Sequence, residues 1–304
     1  NYAVVYKKQG KDPNEKKMTK PEITPIVSNR DVASPFLTSI QENAVKPIEP
    51  VFLDFKKDMS QLTAKSDIPV LYKQNTTNDL FQLIYVFDMG NNNDKALGTA
   101  FDYLEYLGTS DMTPEELKSE FYRLACTFYV SPGNERTYVV LSGLNENMPA
   151  AMQLFEKLLA DAQVNKEAYN NLVGDILKAR ADAKLNQGQN FSRLMNYAMY
   201  GPKSPATNLL TEAELASMNP QELVDRIHNQ NNYKHRILYY GPSSSKDLLA
   251  TIDQYHQVPA TLKDIPAGNE FSYLETPATK VLVAPYEAKQ IYMAQVSNLD
   301  KKYD

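Results

Sequence analysis

Apolar and polar positions alternate sharply from residue 68 onward. "IPVLYKQNTTNDLFQLIYVFDMG" predicts a strand, an Asn/Thr/Asp turn and a longer apolar strand from Leu80 to Met89, ended by Gly90 and a run of Asn. The spacing then turns helical through "DKALGTAFDYLEYLG". Thr113-Pro114-Glu115-Glu116 marks a second helix, running to about Leu124, with Thr as N-cap, Pro in the first turn and Glu at the third position. "CTFYVSPGNERTYVVLSGL" predicts a hairpin, two β-rich runs around Pro-Gly-Asn-Glu. "NMPAAMQLFEKLLADA" puts Met152, Phe155, Leu158 and Leu159 at helical spacing. A long helix follows over 166–185, with shorter ones starting at Thr211 and Asn219. "HRILYYGP" is one more strand and "SKDLLATIDQYH" one more helix. Hairpin strands mixed with runs of helices imply an α+β fold, an antiparallel sheet with helices packed on one face.

The flanks read differently. Residues 1–7 alternate as a strand already under way, and residues 8–50 are polar, with Pro13, Pro21, Pro25, Pro35 and Pro47. That composition suits a linker over a surface, with one short helix inside "NRDVASPFLTSIQENAV". "NYAVVYKKQGKD" near residue 1 echoes "HRILYYGPSSSKD" near 235. "IPVLYKQNTTNDLFQLIYVFDMG" echoes "KVLVAPYEAKQIYMAQVSNLD" near 280. A unit of about 210–230 residues thus ends, occurs once in full and begins again, with strands expected over 270–298. The implied division is 1–50 (end of a preceding domain and a Pro-rich hinge), 51–260 (a complete domain) and 261–304 (the start of the next).

Composition narrows the chemistry. A net charge of -5 without a long run of one sign argues against a nucleic-acid surface. The single cysteine, Cys126, excludes an internal disulfide and a Cys-based zinc site, and its apolar surroundings read as a buried thiol. No segment has the length and apolarity of a membrane span. The opening "NYAVVYKKQG" has no initiator Met, so the chain reads as a piece of a longer polypeptide. Tyr239 and Tyr240 suit sheet-face packing or the lining of a peptide groove, and Lys178, Arg180 and Lys184 suit a solvated helix face.

This ordered layout resembles the pitrilysin/insulinase-like metallopeptidases, the inverzincins, over about residues 51–260. Their signature is H-x-x-E-H in a helix, soon followed by an aliphatic residue and Gly-Thr. Here Asp102-Tyr103-Leu104-Glu105-Tyr106-Leu107-Gly108-Thr109 stands in that place. "SGLNENMPAAMQLFEKLLADA" is similar to the strand, turn and helix after the motif, and helix 166–185 to the one that carries the third ligand, a Glu. In active domains the two His bind zinc and the Glu activates water. Here Asp102 and Tyr106 stand for the His, and only Glu105 remains. A Tyr phenol, with a pKa of about 10, is a poor zinc ligand at neutral pH. The region of the third ligand offers Asp175 and Asp182 but no Glu, and His228, His235 and His256 show no paired spacing. Asp102, Glu105 and Tyr106 at i, i+3, i+4 supply two carboxylates, short of the roughly six oxygen ligands a hard cation takes.

The resemblance therefore implies a later, catalytically inactive domain of a multi-domain zinc metallopeptidase, with no cofactor in this segment and zinc in the N-terminal half of the parent. It implies a clamshell in which this domain forms part of the wall of a peptide chamber. The partners would be the other half of the polypeptide and a peptide substrate, and the compartment the bacterial periplasm. The alternative is a non-peptidase scaffold or binding protein of the same fold.

Overall fold

The computed structural model describes residues 3–6, 10, 16, 18–24 and 32–298. It falls into two compact units, residues 1–52 and residues 53–304. The first unit contains α1 (Pro35–Gln41), the short helix expected there, capped by Ser34, whose hydroxyl accepts from the Leu37 amide. Of the strand expected over 1–7, residues 3–6 belong to no sheet, and residues 1, 2 and 7 lie outside the described residues.

The second unit runs α2 (Phe55–Asp58), β1 (Ser60–Ala64), β2 (Ile68–Gln74), β3 (Leu80–Phe87), α3 (Leu97–Leu104), α4 (Pro114–Arg123), β4 (Cys126–Pro132) and β5 (Thr137–Leu144). It continues through α5 (Met148–Asp161), α6 (Lys166–Lys184), α7 (Gln187–Tyr200), α8 (Glu212–Ser217), α9 (Gln221–Asn229), β6 (Arg236–Gly241) and α10 (Ser245–Tyr255). α2, β1 and α7 are additions to the elements read from the sequence. The strands form one six-stranded sheet in the order β1-β2-β6-β3-β5-β4. Neighbours pair antiparallel except β2 and β6, which are parallel. β6 therefore sits between β2 and β3. Loop 75–79 passes over its end, where the Asn75 amide donates to the Gly241 carbonyl at 2.8 Å and the Tyr240 hydroxyl reaches Asn75 Oδ1.

The period-2 pattern sorts the two faces of the sheet. Ile68, Val70 and Tyr72 of β2, Phe81, Leu83, Tyr85 and Phe87 of β3, Val139 and Leu141 of β5, and Ile237 and Tyr239 of β6 are buried. Their cluster takes in Leu97, Ala100 and Leu104 of α3, Met152, Phe155 and Leu159 of α5, Leu223 and Ile227 of α9, and Leu248 and Ile252 of α10. The helices thus cover one face. The other face carries Leu71, Gln82, Ile84, Leu238, Tyr129, Tyr138 and Tyr240, exposed or half-buried, with Val86 and Val140 buried among them.

The capping box read from the sequence is formed. Thr113 Oγ1 accepts from the Glu116 amide at 3.2 Å, and Glu116 accepts from the Thr113 amide at 2.8 Å. Thr113→Ala should lower stability by about 1 kcal/mol, read as a shift of the urea midpoint without a change in slope. A second box, Thr211 with Glu214, starts α8 as expected.

Residues 270–298 form no strand, contrary to expectation; they lie beside α7 without regular secondary structure, and Asn298 returns to Leu274 and Thr276. The Leu274 amide donates to the Met199 carbonyl at 2.7 Å, Tyr273 stacks on Tyr200 with centroids 4.7 Å apart, and Tyr292 meets Phe191 edge-on. Strand pairing needs a partner of matching register, and side-chain contact with a helix surface supplies none.

Candidate functional site

α3 begins where two side chains turn the chain. Asp94 accepts from the Ala96 amide, and Asn91 from the Gly98 amide at 2.8 Å. It ends at Leu104, with Glu105 as C-cap, so Tyr106 lies in the turn beyond the regular helix. A Cβ on Gly108 would lie 2.3 Å from the Met112 carbonyl oxygen, so only glycine fits where the chain doubles back. Asp102, Glu105 and Tyr106 all face outward, and Tyr106 is 46% exposed. Partial burial of its carboxyl, and then Glu105, push the Asp102 pKa up even though the residue keeps contact with water.

The inward residue of this segment is Tyr103, which is fully buried. Its hydroxyl donates to the Asn165 carbonyl at 2.6 Å and accepts from the Asn165 amide at 2.8 Å, at the N-cap of α6. Tyr169 of α6 meets it edge-on at 5.8 Å and donates to the Leu215 carbonyl at 2.6 Å. The space between α3 and the start of α6 is thus filled by two engaged phenols. Asp175 and Asp182 are exposed further along α6. Among the described residues no three His, Cys, Asp or Glu side chains converge as metal ligands. The groups between α3 and α6 are two neutral phenols and backbone, which do not fit a zinc ion.

Outward of α3 lies an apolar groove of about 390 Å³, between α3, α4 and β4, lined by Phe101, Leu104, Leu107, Leu117, Phe121 and Phe128. Glu105 and Lys118 are exposed at its rim. β4 is an edge strand, paired among the described residues only with β5, so one side of its backbone is free beside the groove. Cys126 is buried there, and burial pushes its thiol pKa up, away from reactivity.

Sequence spacing does not reveal a third cluster. Glu156 of α5, 1% exposed, accepts at Oε1 from His256 Nδ1 at 2.6 Å and the Tyr85 hydroxyl at 3.1 Å. Its Oε2 accepts from Asn231 at 2.8 Å and the Gln257 amide at 3.1 Å. His256 Nε2 lies 2.8 Å from His235 Nε2, and His235 Nδ1 lies 2.7 Å from the Tyr233 carbonyl. A carbonyl only accepts, so His235 Nδ1 carries a proton; the Nε2–Nε2 contact holds one more and the His256–Glu156 contact a third. Two neutral imidazoles hold two protons, so the third balances the carboxylate and the cluster is neutral overall. Two histidines 21 residues apart are paired here by the packing of β6 and α10, a signal absent from local spacing. Burial and then His256 press the His235 pKa down to about 4.

No protein-family model matches the sequence, and no curated protein matches it. Solved structures do. The periplasmic protease PqqL from Escherichia coli aligns with a TM-score of 0.64 at 14% identity, over 82% of this chain and 31% of that one. A mutant of the ferredoxin protease FusC, in complex with Arabidopsis ferredoxin, aligns at 0.61 and 11% identity, over 77% and 27%. A peptidase M16 inactive domain from Pseudomonas fluorescens aligns at 0.57 and 15% identity, over 71% and 53%. At such identities the likeness establishes a shared fold. The chain spans about a third or less of the first two and about half of the third.

Proposed function

Taking this pitrilysin/insulinase-like fold as the premise, we propose that residues 51–260 are a non-catalytic peptidase domain forming part of the wall of a peptide chamber in a larger zinc peptidase. The observation that carries the reading is a sheet with helices on one face only, ending in an edge strand, β4, whose outer side is unpaired among the described residues beside an apolar groove. Such an edge holds an extended peptide by main-chain hydrogen bonds, and the groove takes an apolar side chain. The phenol-filled space between α3 and α6 supports a holding role, with zinc supplied by the N-terminal half of the parent. We place the parent in the periplasm and the start of a further domain near residue 261.

Hydrogen exchange tests this. A 15-residue unstructured peptide of alternating apolar and polar residues should slow exchange of the outward β4 amides within 127–131, and Leu117→Lys in the groove should abolish the effect. Unchanged exchange at β4 with saturating peptide would rule the reading out in favour of a scaffold.

A further inference from the structure

The uncovered sheet face differs in charge from the rest of the molecule. The chain carries a net charge of -5. Yet on this face, among the described residues, Lys73, Arg136 and Arg236 are set against a single carboxylate, Asp88. Three of these groups meet at one end of the face. Arg236, first residue of β6, donates to Asp88 through both terminal nitrogens, at 2.6 and 3.3 Å. Arg136, in the β4–β5 hairpin, donates through Nε at 2.8 Å. Its side chain also hydrogen-bonds the Tyr138 hydroxyl, and among the described residues its terminal nitrogens donate to no carboxylate. One carboxylate against two guanidiniums leaves a charge of +1, and Asp88 holds both forks in place. About half of Arg136 and of Asp88 remains exposed, so the terminal nitrogens, beside the Tyr138 hydroxyl, stay within reach of solvent.

Register places this cluster on a larger pattern. Tyr129, Val140, Ile84, Leu238 and Leu71 are successive cross-strand neighbours, an apolar row over five strands. Asp88 lies four residues beyond Ile84 along β3, roughly 13 Å at about 3.3 Å per residue. We propose that the outer fork of Arg136, held by Asp88 beside Arg236, receives a carboxylate of an extended peptide whose apolar side chain rests on that row. An Arg fork matches a carboxylate in geometry as well as charge. Either an acidic side chain or a C-terminal carboxylate, about four residues from the apolar anchor, supplies the group. The proposal rests on the chamber-wall reading and adds the chemistry that the wall selects.

The test uses the full 304-residue chain and fluorescein-labelled decapeptides read by anisotropy. One carries a Phe with a single Glu four residues toward its amidated C-terminus. The second has Gln for Glu. The third has Gln and is shortened to end in a free carboxylate at that distance. Either acidic peptide should bind about tenfold tighter than the neutral one, the scale of a charge-assisted contact. Arg136→Gln, checked for an unchanged melting temperature, should erase that advantage and leave neutral-peptide binding intact. Tight binding of the first peptide alone assigns side chains as the source, and of the third alone assigns C-termini. Equal affinity for acidic and neutral peptides, or an equal loss for all three in Arg136→Gln, overturns the carboxylate site and leaves the wall reading standing. Failure of every peptide to bind overturns both.

Discussion

Glu156→Ala should cost the domain about 3–5 kcal/mol, the cost of stripping one partner from a buried hydrogen-bonded ionisable cluster. Tyr85, Asn231, His256 and the Gln257 amide all donate to this one carboxylate, and Tyr85, Asn231 and His256 are buried away from water. Urea unfolding at pH 7.5 reads the loss; a change below about 1 kcal/mol would show that the cluster is not a keystone. The same cluster makes the fold acid-labile. The His235 pKa falls from 6.5 in the unfolded chain to about 4 in the fold. Between these values the unfolded chain binds a proton that the fold refuses. Stability is therefore full above about pH 6.5, declines as pH falls, and by about pH 4 has lost about 3 kcal/mol from this group. Melting temperatures across that range should show the slope, and His235→Gln should flatten it. An unflattened slope would assign the acid response to other groups.

Tyr103→Ala should cost about 3–5 kcal/mol, combining an aromatic cavity with an Asn165 amide and carbonyl left without partners. Tyr103→Phe isolates the second part, about 1–3 kcal/mol. Tyr106→Ala, three residues on and outward-facing, should stay within about 0.5 kcal/mol. Denaturant midpoints for the three variants decide the matter: equal losses at Tyr103 and Tyr106 would contradict the placement of α3. The comparison bears on the site, because it separates the residue that joins α3 to α6 from those that only face solvent.

How much of this was legible depends on the range over which each signal acts. Thr113-Pro114-Glu115-Glu116 and Thr211 with Glu214 act within one helical turn and could be read directly. The β4–β5 hairpin and the alternation in β3 act over ten residues and were equally plain. β1, "SQLTA", has too few apolar residues to stand out, and α7, "QGQNFSRLMNYAMY", mixes Gly, Asn and Ser into its spacing. Which aromatic of "DYLEY" turns inward depends on where the helix stops. α3 gives way to a turn after Leu104, so spacing carried through Tyr106 extends the helix too far. The Glu156–His256–His235 cluster joins residues up to 100 positions apart and has no sequence signature.

The place of β6 between β2 and β3 sets a folding order. β1–β2 and β3–β5–β4 can each pair from nearby sequence, but the strand that joins them follows β2 by more than 160 residues in the chain. Until it arrives from the ribosome, β2 and β3 are two open edges flanking an empty slot, and the buried face of each half-sheet is wet. Closing so long a loop is slow, and open apolar edges invite pairing with another nascent chain. Pairing at the centre of the sheet therefore waits until β6 has been made, and a chain truncated before Arg236 should yield two unjoined half-sheets prone to aggregate.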